Sequence, residues 1–137
     1  MLSNVTTVNG QGQKIYGVEF SPNSSILYFT EFTSPSVAST IYQVDLLAGS
    51  SANIINSVLS VGSSSSSYAL QLGPDNKIYV AEYTPNSIGV INNPDVLGMG
   101  CNYAPSAVNL SSGNSSSGLP TFFSSIFITP PSGCDSA

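Results

Sequence analysis

Histidine, arginine and tryptophan are absent from these 137 residues, and lysine occurs only at Lys14 and Lys77. Without histidine, Ser-His-Asp and Cys-His catalysis and histidine-ligated metals are excluded. Two cations against seven acids give a net charge of −5. A phosphate backbone is held by lysine and arginine, so nucleic-acid binding is excluded, and attachment to anionic lipid is disfavoured on the same ground. The apolar runs are a few residues long, well short of the ~20 that a membrane-spanning helix needs. Met1-Leu2-Ser3-Asn4 lacks a basic stretch leading into an apolar core, so no signal peptide is read there, and Met1 is taken as the start of a fragment. No glycine-rich phosphate loop is present.

Charged residues make up only 7% of the chain, against roughly 25% in ordinary soluble domains, whereas the 41% hydrophobic share is normal. Polarity therefore comes from Ser, Asn, Thr and Gln. Helix-favouring charged residues are scarce, while Val, Ile, Tyr and Phe supply strands and Gly, Pro, Asn and Ser supply turns. The composition suits a secreted or surface-exposed all-β protein. Cys101 and Cys134 are the whole cysteine inventory. An even count in an extracellular-looking chain permits one disulfide between them; the alternative is two unpaired thiols.

What is present is a duplicated pattern. Tyr16-Gly17-Val18-Glu19-Phe20-Ser21-Pro22-Asn23 followed by Ile26-Leu27-Tyr28-Phe29-Thr30-Glu31-Phe32 returns as Tyr68-Ala69-Leu70-Gln71-Leu72-Gly73-Pro74-Asp75 followed by Lys77-Ile78-Tyr79-Val80-Ala81-Glu82-Tyr83. Pro22 and Pro74 are 52 residues apart and Tyr28 and Tyr79 are 51 apart, so one residue is lost in the turn. A period of this size marks solenoids, propellers and arrays. Tyr16, Val18 and Phe20 alternate as a strand requires, Ser21–Ser24 is a turn, and Ile26–Phe32 is a strand apolar on both faces. Thr40–Leu46 is a third strand and Ile54–Val61 a weaker fourth, with Ser63–Ser67 as a polar connector. The second round reads Tyr68–Leu72, Lys77–Tyr83, Ser87–Ile91 and, after a long loop over Asn92–Pro105, Ala107–Leu110. A third round opens at Gly118-Leu119-Pro120-Thr121-Phe122-Phe123.

Four short strands per ~40–50 residues is the pattern of a propeller blade. The expected organisation is a lead-in over 1–13, one blade over 14–62, a second over 63–117, the opening of a third over 118–128 and a tail over 129–137. These strings resemble the propeller repeats of large secreted Bacteroidota surface proteins. So do Ile41-Tyr42-Gln43-Val44-Asp45-Leu46, Ile88-Gly89-Val90-Ile91-Asn92-Asn93-Pro94, Leu97-Gly98-Met99-Gly100-Cys101-Asn102-Tyr103 and Gly118-Leu119-Pro120. The resemblance covers residues 14–123. It implies a propeller, export by type IX secretion and neighbouring PKD-like or Ig-like modules, with Gly118–Phe123 at the propeller's end and Cys134 opening the next module. It implies no activity. A ring typically needs 4–8 blades, so the missing neighbours are blades of a parent chain or copies of this one. Otherwise the apolar faces around Leu27, Phe29, Ile78 and Val80 stay wet.

Glu31 and Glu82 occupy matching positions, each before an aromatic residue. On a radial array both carboxylates would face a shared channel, where a hard cation such as Ca²⁺ takes oxygen ligands. The alternative is that each carboxylate accepts hydrogen bonds at a strand end. As a glycosidase pair they would need a set separation across one sugar. Asp75-Asn76, Pro22-Asn23, Asp45 and Asp95 read as turn or cap residues. The tyrosines, with Tyr16/Tyr68 and Tyr28/Tyr79 as matching pairs, read as packing between blades or as stacking platforms for sugars. Asn4, Asn23, Asn109 and Asn114 begin Asn-x-Ser/Thr triplets, common by chance in a chain this rich in Ser and Asn. The leading functional expectation is a non-catalytic secreted interaction or display module, with protein or carbohydrate as partner on a loop face. The alternatives are a propeller lyase or hydrolase with acidic channel residues, and a self-associating unit that completes a ring from several copies.

Overall fold

A computed structural model describes residues 14–32, 38–83 and 86–119. They form two four-stranded antiparallel sheets whose strands pair in chain order. The first holds β1 (Lys14–Phe20), β2 (Ile26–Phe32), β3 (Ser39–Asp45) and β4 (Leu59–Ser64). The second holds β5 (Ser67–Leu72), β6 (Ile78–Glu82), β7 (Ser87–Ile91) and β8 (Tyr103–Asn109). The protein is thus all-β. The only helices among the described residues are a six-residue α1 (Ser51–Asn56) and a 3-10 turn at Gly98–Cys101.

Positions matched by sequence fall at matching places in the two sheets. Glu19 pairs Tyr28 and Val18 pairs Phe29 in the first; Gln71 pairs Tyr79 and Leu70 pairs Val80 in the second. A bulge interrupts β1 between Ile15 and Val18, and another interrupts β5 between Ser67 and Leu70. The turns close alike: the Ser21 amide donates to the Ile26 carbonyl, and the Gly73 amide to the Lys77 carbonyl one residue sooner. Ser24 and Asn76 take the same left-handed conformation, with φ of 60° in each. Asn23 Oδ1 accepts from the Ser25 amide and Asp75 Oδ1 from the Lys77 amide, so both acid or amide side chains act as turn residues.

Three expectations are corrected. The fourth strand is present but starts later than Ile54: Ser50 caps α1 by accepting the Asn53 amide at 3.3 Å, and β4 begins only at Leu59. Ser and Asn compete for the backbone at helix starts more readily than they extend a strand. The Ser63–Ser67 run is not a free connector, because its ends belong to β4 and β5 and the Ser64 and Ser67 hydroxyls bond each other at 2.6 Å. The last strand begins at Tyr103, four residues before the expected start, and the segment before it is folded into the 3-10 turn. The third round beyond Leu119, the lead-in, the tail and Cys134 lie outside the described residues.

The sheets pack on each other through different faces. With a two-residue period, Ile26 and Tyr28 share one face of β2, while Ile78 and Val80 share one face of β6. Those residues, with Ile41, Val61, Leu70, Ile91 and Cys101, make the buried core among the described residues. Tyr28 matches Tyr79 by register, not Val80. The first sheet therefore offers its Tyr28 face, and the second offers the face opposite Tyr79. The consequence is visible on the inner strands: Val18 is 52% exposed, whereas the matching Leu70 is 7% exposed. Ile78 and Val80, expected to need neighbouring blades or copies to cover them, are fully buried by the first sheet, and Phe29 is buried too.

Close approach of β1 to β5 depends on Gly17. A Cβ there would run into the Tyr68 carbonyl and lie 2.9 Å from the Leu70 nitrogen. Thr30 completes the junction, since its hydroxyl accepts the Gly17 amide at 2.8 Å and donates to the Tyr68 carbonyl at 2.6 Å.

Candidate functional site

Glu82 ends β6 with its side chain buried at the junction of the sheets. Its Oε1 accepts the Tyr103 hydroxyl at 2.7 Å; its Oε2 accepts the Ser106 amide at 2.9 Å and the Ser106 hydroxyl at 3.1 Å. Two glycines admit the Tyr103 ring. A Cβ on Gly62 of β4 would strike that ring, and one on Gly89 of β7 would lie 2.8 Å from Glu82 Oε1. The ring thus crosses from the second sheet to the first, and burial pushes its phenol well above the ordinary value, reinforced by the Glu82 carboxylate. The sequence pattern places Tyr103 in a loop. Gly62 and Gly89 on facing strands are its only sequence trace, and they are legible only once the strands are paired.

Glu31, the matching carboxylate, lies on the open side of the first sheet. It is buried, yet its Oε1 has no hydrogen-bond partner among the described residues, and the same holds for Ser39 Oγ. Burial, with Glu31 alongside, raises the Tyr42 phenol above its ordinary value. Glu31 and Glu82 hold different partners in different sheets. Among the described residues no three His, Cys, Asp or Glu side chains gather, and no helix is long and apolar enough to cross a membrane.

No protein-family model, curated protein or solved structure matches the chain.

A second polar group ties the segment before β8 to the first sheet. Gln43 Nε2 donates to the Tyr28 hydroxyl at 2.7 Å and to the Val96 carbonyl at 2.9 Å, while Gln43 Oε1 accepts the Gly98 amide at 2.7 Å. The Tyr28 hydroxyl donates to the Pro94 carbonyl at 2.9 Å. Burial drives the Tyr28 phenol far above its ordinary value and raises the free thiol of Cys101 beside it. Asp95 and Glu19 serve the same junction: Asp95 Oδ1 accepts the Asn23 amide at 3.0 Å, and Glu19 Oε2 accepts the Leu72 amide at 2.9 Å. Asp45 caps the turn after β3 by accepting the Leu47 amide at 2.8 Å.

The exposed chemistry is aromatic. Tyr16 and Tyr83, 52% and 65% exposed, flank the buried Tyr68 edge to face, with ring centroids 5.1 and 6.3 Å from it. The row lies where β1 and β5 begin and β6 ends. Of the matching tyrosine pairs, Tyr28 is core, Tyr79 is half-buried with its hydroxyl on Asp75 at 2.9 Å, and Tyr16 and Tyr68 touch each other. The Tyr79 face of the second sheet forms a groove of about 600 Å³ with a mainly apolar lining, including Gln71, Tyr79, Ile88, Leu110 and Leu119.

Proposed function

We propose that the two sheets are successive blade-like repeats of a secreted β-propeller, of the kind found in large Bacteroidota surface proteins, and that they act as a non-catalytic interaction or display module. The observation that carries this reading is the use of opposite faces at the junction. A stack in which each repeat offers one face and receives the other leaves a matching pair of faces at its ends, which is how blades continue around a ring. The carboxylates support a structural role rather than an acid–base one. Glu82 is occupied by three hydrogen bonds, and Glu19 and Asp95 bond backbone amides across the junction.

The Tyr16–Tyr68–Tyr83 row is the contact surface of the module. Exposed phenol rings suit carbohydrate, which offers apolar C–H faces and hydroxyls but no charge. A neutral-glycan array followed by calorimetry tests the reading. Retention of a glycan that is lost in Tyr16→Ser/Tyr83→Ser, with unchanged unfolding, is expected. Glycan cleavage that Glu82→Gln abolishes would make the chain an enzyme and overturn the proposal. So would binding indifferent to both tyrosines.

A self-associating role is the second reading. It is favoured by the exposed Val18 and Phe20 on the first sheet, which copies of the chain would cover head to tail.

A further inference from the structure

The two sheets stand with like ends together, since Asn23 meets Asp95 and Glu19 meets Leu72 across the junction. β1, β3, β5 and β7 run toward one end, which the turns 21–25 and 73–77 and the loops 46–58 and 92–102 close. The tyrosine row lies at the opposite end. Both loops lie wholly within the described residues. They hold matching places in the two repeats, and both turn apolar side chains to solvent. Leu47 and Ile55 in the first, and Val96, Leu97 and Met99 in the second, are between 46% and 77% exposed. Leu59, where the first loop enters β4, is exposed too and lies against the second loop, its Cδ2 3.8 Å from where a Cβ on Gly98 would stand. Among the described residues, the other exposed large aliphatic side chains are Ile15 and Val18, both on β1. The display is held in place. Ser57 Oγ accepts the Asp45 amide at 2.9 Å at the foot of the first loop, and the Asn93 amide donates to the Cys101 carbonyl at 2.9 Å across the second.

We propose that this end is a docking surface for a protein segment with an apolar face flanked by lysine or arginine. Single apolar residues scatter over any surface, whereas a set on two adjoining, anchored loops marks an interaction site. An apolar centre within a polar rim is the usual anatomy of an interface, and methionine adapts to the shape it meets. The charge at this end selects the occupant. Glu19, Asp45, Asp75 and Asp95 are here, with Lys77 as the single cation. A second copy would set like charges against each other, and an anionic bilayer would be repelled. A basic amphipathic segment meets opposite charge at the rim and apolar contact at the centre. The inference does not rest on the glycan reading or on ring closure.

Fluorescence anisotropy of the full chain with two labelled synthetic peptides tests it. One is a helical leucine–lysine peptide, the other a leucine–glutamate peptide of identical leucine spacing. The leucine–lysine peptide should bind, with affinity that falls as salt is raised. Leu97→Ser/Met99→Ser, with unfolding in urea unchanged, should weaken that binding by about tenfold or more. Leu47→Ser/Ile55→Ser on the other loop should act likewise, and stands in if the first variant does not fold. Equal binding of the two peptides, no binding of either, or binding indifferent to the substitutions in a folded chain overturns the inference. So does pelleting with phosphatidylcholine vesicles that the substitutions abolish, which gives the surface to lipid, or self-association that they abolish, which gives it to a second copy. The tyrosine row is at the other end, so failure here leaves the glycan reading standing, and failure there leaves this surface standing.

Discussion

Two glutamates of matching sequence context end in opposite energetic positions. Removing Glu82 would leave the Tyr103 hydroxyl without its partner at a partly buried site, at a cost of about 1–3 kcal/mol, whereas the amide of the exposed Ser106 can turn to water. Glu82→Ala should therefore lower unfolding stability by about 1–3 kcal/mol in urea titration. Glu31 has a buried oxygen with no partner among the described residues. Glu31→Gln keeps the shape of a side chain whose Oε1 has no partner among the described residues, and should be near neutral in the same titration. Equal losses from the two changes would contradict the contrast. The buried phenols give a second residue-scale expectation. Tyr28 and Tyr103 are both held above the ordinary phenol value of 10, chiefly by burial. Below pH 10 the folded and unfolded chains bind the same phenolic protons, so the full contribution is present there. Above it the unfolded chain releases protons that the fold retains, and stability falls, each phenol contributing up to about 1.4 kcal/mol per pH unit. Phenolate absorbance of these two residues should rise together with loss of sheet structure; ionisation well before unfolding would refute their burial.

At the scale of elements, strands with clear alternation and well-marked turns are legible in the sequence. Tyr16-Gly17-Val18-Glu19-Phe20 and its turn fall where the period and the proline place them, and the one-residue difference between the two turns appears in their closing hydrogen bonds. What is not legible depends on tertiary contact. A serine-rich stretch reads as loop whether it is free or paired, which hides the ends of β4 and β5 within Ser63–Ser67. Tyr103 is hidden because the Gly62 and Gly89 gaps that admit it lie 27 residues apart in sequence. Nor does sequence tell Glu31 from Glu82, since their difference lies in which side of each sheet is covered. Gly17 sits between these cases. Its match, Ala69, carries a Cβ, yet at Gly17 the same atom meets the β5 backbone, which cannot move aside as a side chain can. Gly17→Ala should cost about 1–3 kcal/mol in urea unfolding, with a loss below ~0.5 kcal/mol showing that β1 and β5 are not in close contact.

For the whole molecule, the decisive relation is that two sheets of matching sequence and register meet through non-matching faces. That arrangement explains why Leu70 is buried and Val18 is not, why Ile78 and Val80 need no partner outside the chain, and why an apolar groove remains on the Tyr79 face. It also underlies the proposed propeller role, since a stack through opposite faces leaves one of each kind at its ends. Methyl nuclear Overhauser contacts read this directly, because Ile41 and Ile88 are matching residues on faces with opposite fates. Ile41 methyls should contact the Ile78 and Val80 cluster of the second sheet and give no contact to Ile88. Contacts between Ile41 and Ile88, as like faces meeting would produce, or no contacts between the sheets at all, would contradict it.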